Sequence, residues 1–274
     1  MPLVSVVIPT YNRAAFLAEA VHSVLAQTFA DFELIVVDDG SIDRTRAWVE
    51  GIADPRIKLI PLPHSGSPAR TRNAGVRRGS GRYVAFLDSD DMWDSSKLAD
   101  QLEALSERPN CLWCHTGGRC IDENGAPDPR WPEARMASEG WILEGLFQRQ
   151  VGINTSSVLV DRALLLDVGG FDETFVRGED YDLWVRLALR SPIACVRDAR
   201  VGRRIHTTSQ FVGTGRERLR TLTRMARSAP SWRLRLLAAR ESVKGGALYV
   251  VWRARGLLRR ILRRHTGPLP VARG

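Results

Sequence analysis

The sequence predicts an α/β fold: a mostly parallel central sheet flanked by helices, followed by an Arg-rich helical C-terminal extension. Two observations predict it. Residues 3–8, 33–37 and 83–87 are near-continuous apolar runs, the pattern of strands buried on both faces of a parallel sheet. Segments with apolar residues at helical spacing separate these runs, and strands that alternate with helices build parallel sheets.

The elements follow in order. The first strand stops at Pro9-Thr10-Tyr11-Asn12-Arg13. Residues 14–26 place Phe16, Leu17, Ala20, Val21, Val24 and Leu25 at helical spacing. The second strand ends in Asp38-Asp39-Gly40-Ser41. Residues 45–52 read as a short helix, 57–60 as a strand, and 68–78 as a helix with Pro68 near its start, where a missing N–H is harmless. The run 83–87 ends in Asp88-Ser89-Asp90-Asp91. Ser95 or Ser96 is placed to cap a helix through Leu98, Leu102 and Leu105. Residues 111–116 read as a strand. Residues 117–140, rich in Gly, Pro and charge, read as a long loop. A short helix over 139–150 follows, then a polar approach to a strand over 153–160, and a helix over 162–168 stopped by Gly169-Gly170. The helix over 181–190 carries Leu183, Trp184, Leu187 and Ala188 on its apolar side, which makes Trp184 a core residue before a ligand contact. Residues 215–264 are mostly helical in pattern.

Composition narrows the class. A chain of 274 residues builds one sizeable core with room for an appended module. Its net charge of +9 is uneven, because residues 215–274 hold 16 Lys or Arg against 2 Glu and leave the rest net acidic. The positive charge therefore belongs to the tail and not to the strand ends. No run approaches the roughly 18–20 apolar residues of a membrane span. The chain opens on a strand and not on a basic segment followed by a signal-type apolar stretch, so a cytoplasmic location is expected. Cys111-x-x-Cys114 has no second pair, and on a strand positions three apart face opposite sides. Cys111, Cys114, Cys120 and Cys195 are expected to be free thiols in a reducing compartment.

The chemistry is concentrated at strand ends. Three acids crowded at Asp88, Asp90 and Asp91 repel one another unless a cation sits among them, although an Asp-rich turn is the bland reading. If the strand continues, Asp88 and Asp90 point the same way. Asp91 is a ligand or, preferably, a helix cap. Ligands of open α/β sheets bind outside the carboxyl ends of the strands, so Thr10, Tyr11, Asp38, Asp39, Asp88 and Asp90 should converge on one crevice. Arg70 and Arg72, on helix 68–78, are candidates to fork a phosphate; a solvated helix face is the alternative. No G-x-x-x-x-G-K-[ST] is present and no G-x-G-x-x-G follows the first strand, which argues against a P-loop kinase and a dinucleotide site.

Six segments together carry a resemblance: Val4-Ser5-Val6-Val7-Ile8-Pro9-Thr10-Tyr11-Asn12, Ser23-Val24-Leu25-Ala26-Gln27-Thr28, Val36-Val37-Asp38-Asp39-Gly40-Ser41, Ala69-Arg70-Thr71-Arg72-Asn73-Ala74-Gly75, Phe86-Leu87-Asp88-Ser89-Asp90-Asp91 and Gly178-Glu179-Asp180-Tyr181-Asp182-Leu183-Trp184. In their order and spacing, over about residues 3–210, the chain resembles the family 2 glycosyltransferases of GT-A fold. The resemblance implies inverting transfer of one sugar from a nucleotide-diphosphate donor, UDP-sugars favoured, to a hydroxyl of a glycan or lipid-linked acceptor in cell-surface polysaccharide synthesis. It implies a nucleotide-binding half over 1–100, an acceptor-binding half over 101–214 and a basic extension over 215–274. Nucleotide contacts fall to Pro9, Thr10, Tyr11, Asp38, Asp39, Arg70, Arg72, Asp88 and Ser89, with Asp39 accepting from the base and Tyr11 stacking on it. Asp90 is implied to ligate Mg²⁺ or Mn²⁺, Asp88 to share the ion or contact the ribose, and His206 to approach the ion or diphosphate. Asp180 is the implied general base, with Glu179 and Asp182 as alternates; an acid following Gly178 at a helix N-terminus also suits plain capping. The Gln-x-x-Arg-Trp of processive members is absent.

Two other readings compete. A nucleotidyltransferase normally carries a Gly-rich basic loop after the first strand, and Pro9-Thr10-Tyr11-Asn12 is not one. A sugar-nucleotide-binding module without glycosyl transfer is the second. In the tail, residues 253–264 alternate paired apolar and paired basic residues, which suits a helix lying on an anionic membrane, here the inner face of the plasma membrane. A packed structural stripe is the competing account, and no nucleic acid is expected.

Overall fold

The computed structural model describes residues 1–128, 138–205, 215–229 and 231–245. Its core is an eight-stranded sheet in the order β3-β2-β1-β4-β7-β6-β8-β5. The strands are β1 (Val4–Thr10), β2 (Phe32–Asp38), β3 (Ile57–Pro61), β4 (Tyr83–Phe86), β5 (Met92–Trp93), β6 (Trp113–Ile121), β7 (Leu159–Asp161) and β8 (Ile193–Arg204). β3, β2, β1 and β4 run parallel, as do β6 and β8, while β7 and β5 are antiparallel to their neighbours. From β1 the chain first builds outward to β2 and β3, then returns to lay β4 on the other side of β1. That reversal opens a crevice at the carboxyl ends of β1 and β4, the place where α/β sheets take ligands.

The apolar runs form the buried strands. Every residue of β2 is buried, and Val4, Val6, Val7, Ile8, Val84, Ala85 and Phe86 are fully so. The helices α1 (Ala14–Leu25), α2 (Thr45–Glu50) and α3 (Pro68–Arg78) cover the parallel half. α3 lies close on the sheet because residue 75 is glycine: a Cβ there would stand 2.4 Å from Cγ1 of Val7. Beyond β4 come α4 (Lys97–Glu107), α5 (Leu143–Gln148), a 3₁₀ turn (Thr155–Ser157), α6 (Arg162–Asp167) and α7 (Glu179–Ala188). Trp184 of α7 is 2 % exposed and stacks on Trp113 with ring centroids 6.0 Å apart, so it is core. The four cysteines are free.

Three elements differ from the sequence expectation. β4 ends at Phe86, and Asp88–Asp91 form a turn closed by the Asp91 N–H on the Asp88 carbonyl at 3.0 Å, so Asp88 and Asp90 do not share a strand face. β6 does not stop at Thr116: it runs on to Ile121, paired with β8 across register shifts at Gly117 and Gly118. β8 runs from Ile193 to Arg204, over a stretch to which the sequence reading assigned no element.

The chain packs as two compact units, Met1–Val212 and Gly213–Gly274. The second contains α8 (Gly215–Ser228) and a further helix over residues 232–245. Among the described residues no helix is long and apolar enough to cross a membrane. His206 and the alternating stretch 253–264 lie outside the described residues.

Candidate active site

The strand ends converge as the topology requires. Thr10 is register partner to Asp38 at the ends of β1 and β2, and the Asp39 N–H bonds the Thr10 carbonyl at 2.9 Å. Pro9 is half-buried; Thr10 is buried, and its Oγ1 has no hydrogen-bond partner among the described residues. Asp38 is buried and accepts from the Ser41 N–H and hydroxyl. Asp39, also buried, accepts from the Ser65 N–H at 3.0 Å, the Ser65 hydroxyl at 2.8 Å and the Gly66 N–H at 2.8 Å. Both Asp39 oxygens are therefore engaged by the turn that precedes α3. Any bond to a base imide requires that turn to share or yield an oxygen.

Tyr11 is exposed, and its ring lies 4.0 Å from that of His64 at 20°, a parallel stack formed by the residues that follow β1 and β3. His64 Nδ1 is 2.8 Å from the Asp39 carbonyl oxygen. Nothing in the sequence singles out His64. It reaches Tyr11 only because β1 and β3 flank β2.

The acidic turn after β4 is held from three sides. The Ser156 hydroxyl donates to Asp91 Oδ2 at 2.6 Å and accepts the Asp88 N–H at 3.0 Å. Arg204, buried over the Phe16 ring, donates its backbone N–H to Asp91 Oδ1, its Nε to the Asp90 carbonyl and a terminal nitrogen to Glu19. Arg72 approaches from α3, with one terminal nitrogen 2.7 Å from Asp88 and the other 2.8 Å from Glu179. Asp91 is thus neither a helix cap nor an exposed ligand. It is the buried post on which the turn is fastened, and Ser96 occupies the cap position of α4. Burial, reinforced by the charges of Asp88 and Asp90, pushes the Asp91 carboxyl well above its ordinary range. Ser89 is buried within the turn.

Arg72, expected on phosphate, has both terminal nitrogens on carboxylates and its guanidinium over the Phe171 ring at 5.4 Å. Arg70, two residues earlier and so on nearly the opposite face of α3, is exposed. Arg13 stands 3.9 Å from Asp90, a contact the sequence reading did not include.

Gly178 caps the start of α7, and its φ of 74° lies in the left-handed region that glycine adopts without strain. Three acids fill its first turn. Glu179 is buried on Arg72. Asp182 is fully buried and pairs with Arg186 at 2.8 Å. Asp180, half-buried, takes the Tyr181 N–H and is in no ion pair among the described residues. Burial, then the neighbouring Glu179 charge, raises its carboxyl to about 6, against the lowering pull of the Tyr181 N–H and Arg72.

Among the described residues no three His, Cys, Asp or Glu side chains gather to hold an ion by themselves. Asp88 and Asp90 remain 33 % and 23 % exposed, and two such carboxylates suit Mg²⁺ or Mn²⁺, which fill the remaining positions with water and substrate phosphates.

A parallel sheet whose topological switch point is ringed by carboxylates, an aromatic pair and an ionisable helix-terminal acid defines an α/β protein built around a polar ligand crevice. The chain belongs to glycosyl transferase family 2, whose sequence pattern matches residues 5–161. It is 33 % identical over 194 residues to the Escherichia coli UDP-Glc:alpha-D-GlcNAc-diphosphoundecaprenol beta-1,3-glucosyltransferase WfgD, an alignment covering 71 % of this chain and 73 % of WfgD. It is 43 % identical over 128 residues to the putative teichuronic acid biosynthesis glycosyltransferase TuaG of Bacillus subtilis, covering 46 % of this chain and half of TuaG. The fold is that of S. aureus TarS 1-349, solved in complex with UDP-GlcNAc: TM-score 0.67 at 23 % identity, over 82 % of this chain and 66 % of that one. The complex of TarS 1-349 with UDP aligns with TM-score 0.70 at 22 % identity, over 88 % and 70 %. The chain is therefore a glycosyltransferase of GT-A fold.

Proposed function

We propose that the chain transfers one sugar from a nucleoside-diphosphate sugar, a UDP-sugar by preference, to an acceptor hydroxyl with inversion, in the synthesis of a cell-surface polysaccharide. The donor class is supported by TarS, solved with UDP-GlcNAc, and by WfgD, named as a UDP-Glc enzyme. WfgD is named for a diphosphoundecaprenol-linked acceptor, which favours a lipid-linked hydroxyl here too.

The base stacks with the Tyr11–His64 pair, and the ribose and diphosphate lie along the strand ends toward Asp88 and Asp90. These two carboxylates would hold Mg²⁺ or Mn²⁺, which when bound neutralises charge on the departing diphosphate. Asp91, Ser156 and Arg204 keep the turn in shape, so its carboxylates are already oriented when the donor arrives. Asp180 takes the proton of the acceptor hydroxyl as that oxygen attacks the anomeric carbon, and the diphosphate leaves from the opposite face.

One observation carries this reading. Of the three acids opening α7, Glu179 is tied to Arg72 and Asp182 to Arg186, which leaves Asp180 as the carboxylate suited to accept a proton near neutral pH. The test is UDP release from a panel of UDP-sugars with and without a lipid-linked acceptor. Acceptor-dependent release with an inverted glycosidic bond is expected. Formation of a sugar nucleotide from a sugar phosphate, or donor binding with no release, would overturn it.

A further inference from the structure

The helix over 232–245, in the second unit, has one exposed face of a distinctive composition. Trp232, Leu236 and Val243 are 69 %, 62 % and 74 % exposed. At about 100° per residue these three fall within roughly 40° of one another along one ridge of the helix. By the same count, Arg233, Arg240 and Lys244 line one flank at about 80–120° from Trp232, and Arg235 lies about 60° away on the other. All four cations are exposed. The opposite side of the helix carries the buried Ala238 and Glu241, with Leu234 and Leu237 half-buried. Glu241, the single acid between residues 231 and 245, thus sits on the buried side, where Lys244 and Arg218 pair with it.

We propose that this face is a docking surface for an anionic lipid bilayer. An apolar ridge that includes a Trp, flanked on both sides by basic residues and free of exposed acid, matches the layered chemistry of a membrane interface: acyl chains under the ridge, headgroup phosphates at the flanks. A nucleic acid would match the arginines but would leave Leu236 and Val243 in water. The inference deepens the proposed function, because a lipid-linked acceptor is met at such a surface. It concerns residues 231–245, which are distinct from the alternating stretch 253–264.

The test uses the full chain and sedimentation with vesicles of phosphatidylglycerol and phosphatidylcholine in equal parts, and with phosphatidylcholine alone. Wild-type protein should bind the acidic vesicles and lose binding as salt rises. Replacing Arg233, Arg235 and Arg240 together by Gln should weaken partitioning on the order of 10²-fold, since each basic residue at an anionic surface contributes about fivefold. Replacing Trp232, Leu236 and Val243 together by Ser should weaken it by at least about tenfold. Far-UV circular dichroism checks that these exposed substitutions leave the helix folded. UDP release to a water-soluble acceptor should stay unchanged, so loss of that activity in the wild type would count against the catalytic reading and not this one. Unaltered vesicle binding by both variants would assign the membrane contact to residues 253–264 and overturn the proposal. Preferential binding of wild type to an RNA or DNA duplex over acidic vesicles would overturn it as well.

Discussion

Asp88 and Glu179 are joined through one buried guanidinium: Arg72 meets the first at 2.7 Å and the second at 2.8 Å. The turn after β4 and the start of α7, far apart in the chain, are thereby fixed to each other and to α3. Removing one partner of a buried ion pair leaves a charge without compensation, which typically costs about 3–5 kcal/mol. Arg72→Met should therefore lower the unfolding free energy by about 3 kcal/mol in denaturant titration. Adding Glu179→Gln should recover part of that loss, because the stranded charge is gone. An Arg72→Met protein as stable as wild type would mean the bridge does not hold these elements together.

Ser156 links the same turn to the chain segment before β7. Ser156→Ala leaves the Asp88 N–H and an Asp91 oxygen short of a partner, a loss of about 1–3 kcal/mol. The change should also weaken Mn²⁺-dependent UDP affinity several-fold, read by calorimetry. Ser157→Ala is the control. That hydroxyl bonds the Asn154 carbonyl, so its removal should affect stability without affecting UDP affinity.

Lys97 is fully buried on α4, its ammonium 2.7 Å from Gln101 Oε1 and 3.8 Å from the centre of the Trp93 ring. With the neutral Gln101 amide and no carboxylate as its hydrogen-bond partner among the described residues, burial lowers its pKa to about 7. Between that value and the ordinary lysine value of about 10.4, the unfolded chain holds a proton that the folded chain does not. Stability should therefore rise with pH across this window, by about 1 kcal/mol per unit from this group. In Lys97→Met that contribution should vanish, and the mutant should be the more stable protein at pH 7. Parallel stability–pH curves for the two proteins would show that Lys97 does not titrate in this way.

Asp88 and Asp90 carry the metal reading. Asp90→Ala should reduce UDP affinity in Mn²⁺ by at least about tenfold, because it removes a charged oxygen ligand from a hard cation. Excess chelator should do the same to the wild type. UDP binding that is indifferent to chelator would remove the ion from the account.

Much of the parallel half was legible because its signals are local. The apolar runs of β1 and β2, the spacing of α1, and the Pro68 start of α3 each specify their element within a few residues. That the acids after β2 and β4 lie at one edge of the sheet followed from the parallel order of β2, β1 and β4. What the sequence did not carry was long-range. Ser156 reads as a polar approach to a strand, yet it fastens the acidic turn. Arg204 reads as one of many arginines, yet its guanidinium joins Asp90, Asp122, Glu123 and Glu19. Asp91 looks like a cap because caps are acidic and local, and only the packing of the 3₁₀ turn and β8 reveals its partners, Ser156 and Arg204. The extended β6 was hidden by Gly117 and Gly118, which read as loop but accommodate register shifts against β8.

Asp180 sets the expected pH dependence of turnover. Its raised carboxyl must be ionised to accept a proton, so kcat/KM for the acceptor should fall about tenfold per unit below pH 6 and level off above it. A profile flat from pH 5 to 8 would exclude a base of this kind.

The most direct measurement is kcat of Asp180→Asn beside its UDP affinity in Mn²⁺. The amide keeps the shape of the side chain and cannot serve as a base. Turnover should drop by about 10²–10⁴ while UDP affinity stays within about twofold of wild type. Turnover near the wild-type value would contradict the central claim, that Asp180 accepts the acceptor's proton in an inverting sugar transfer.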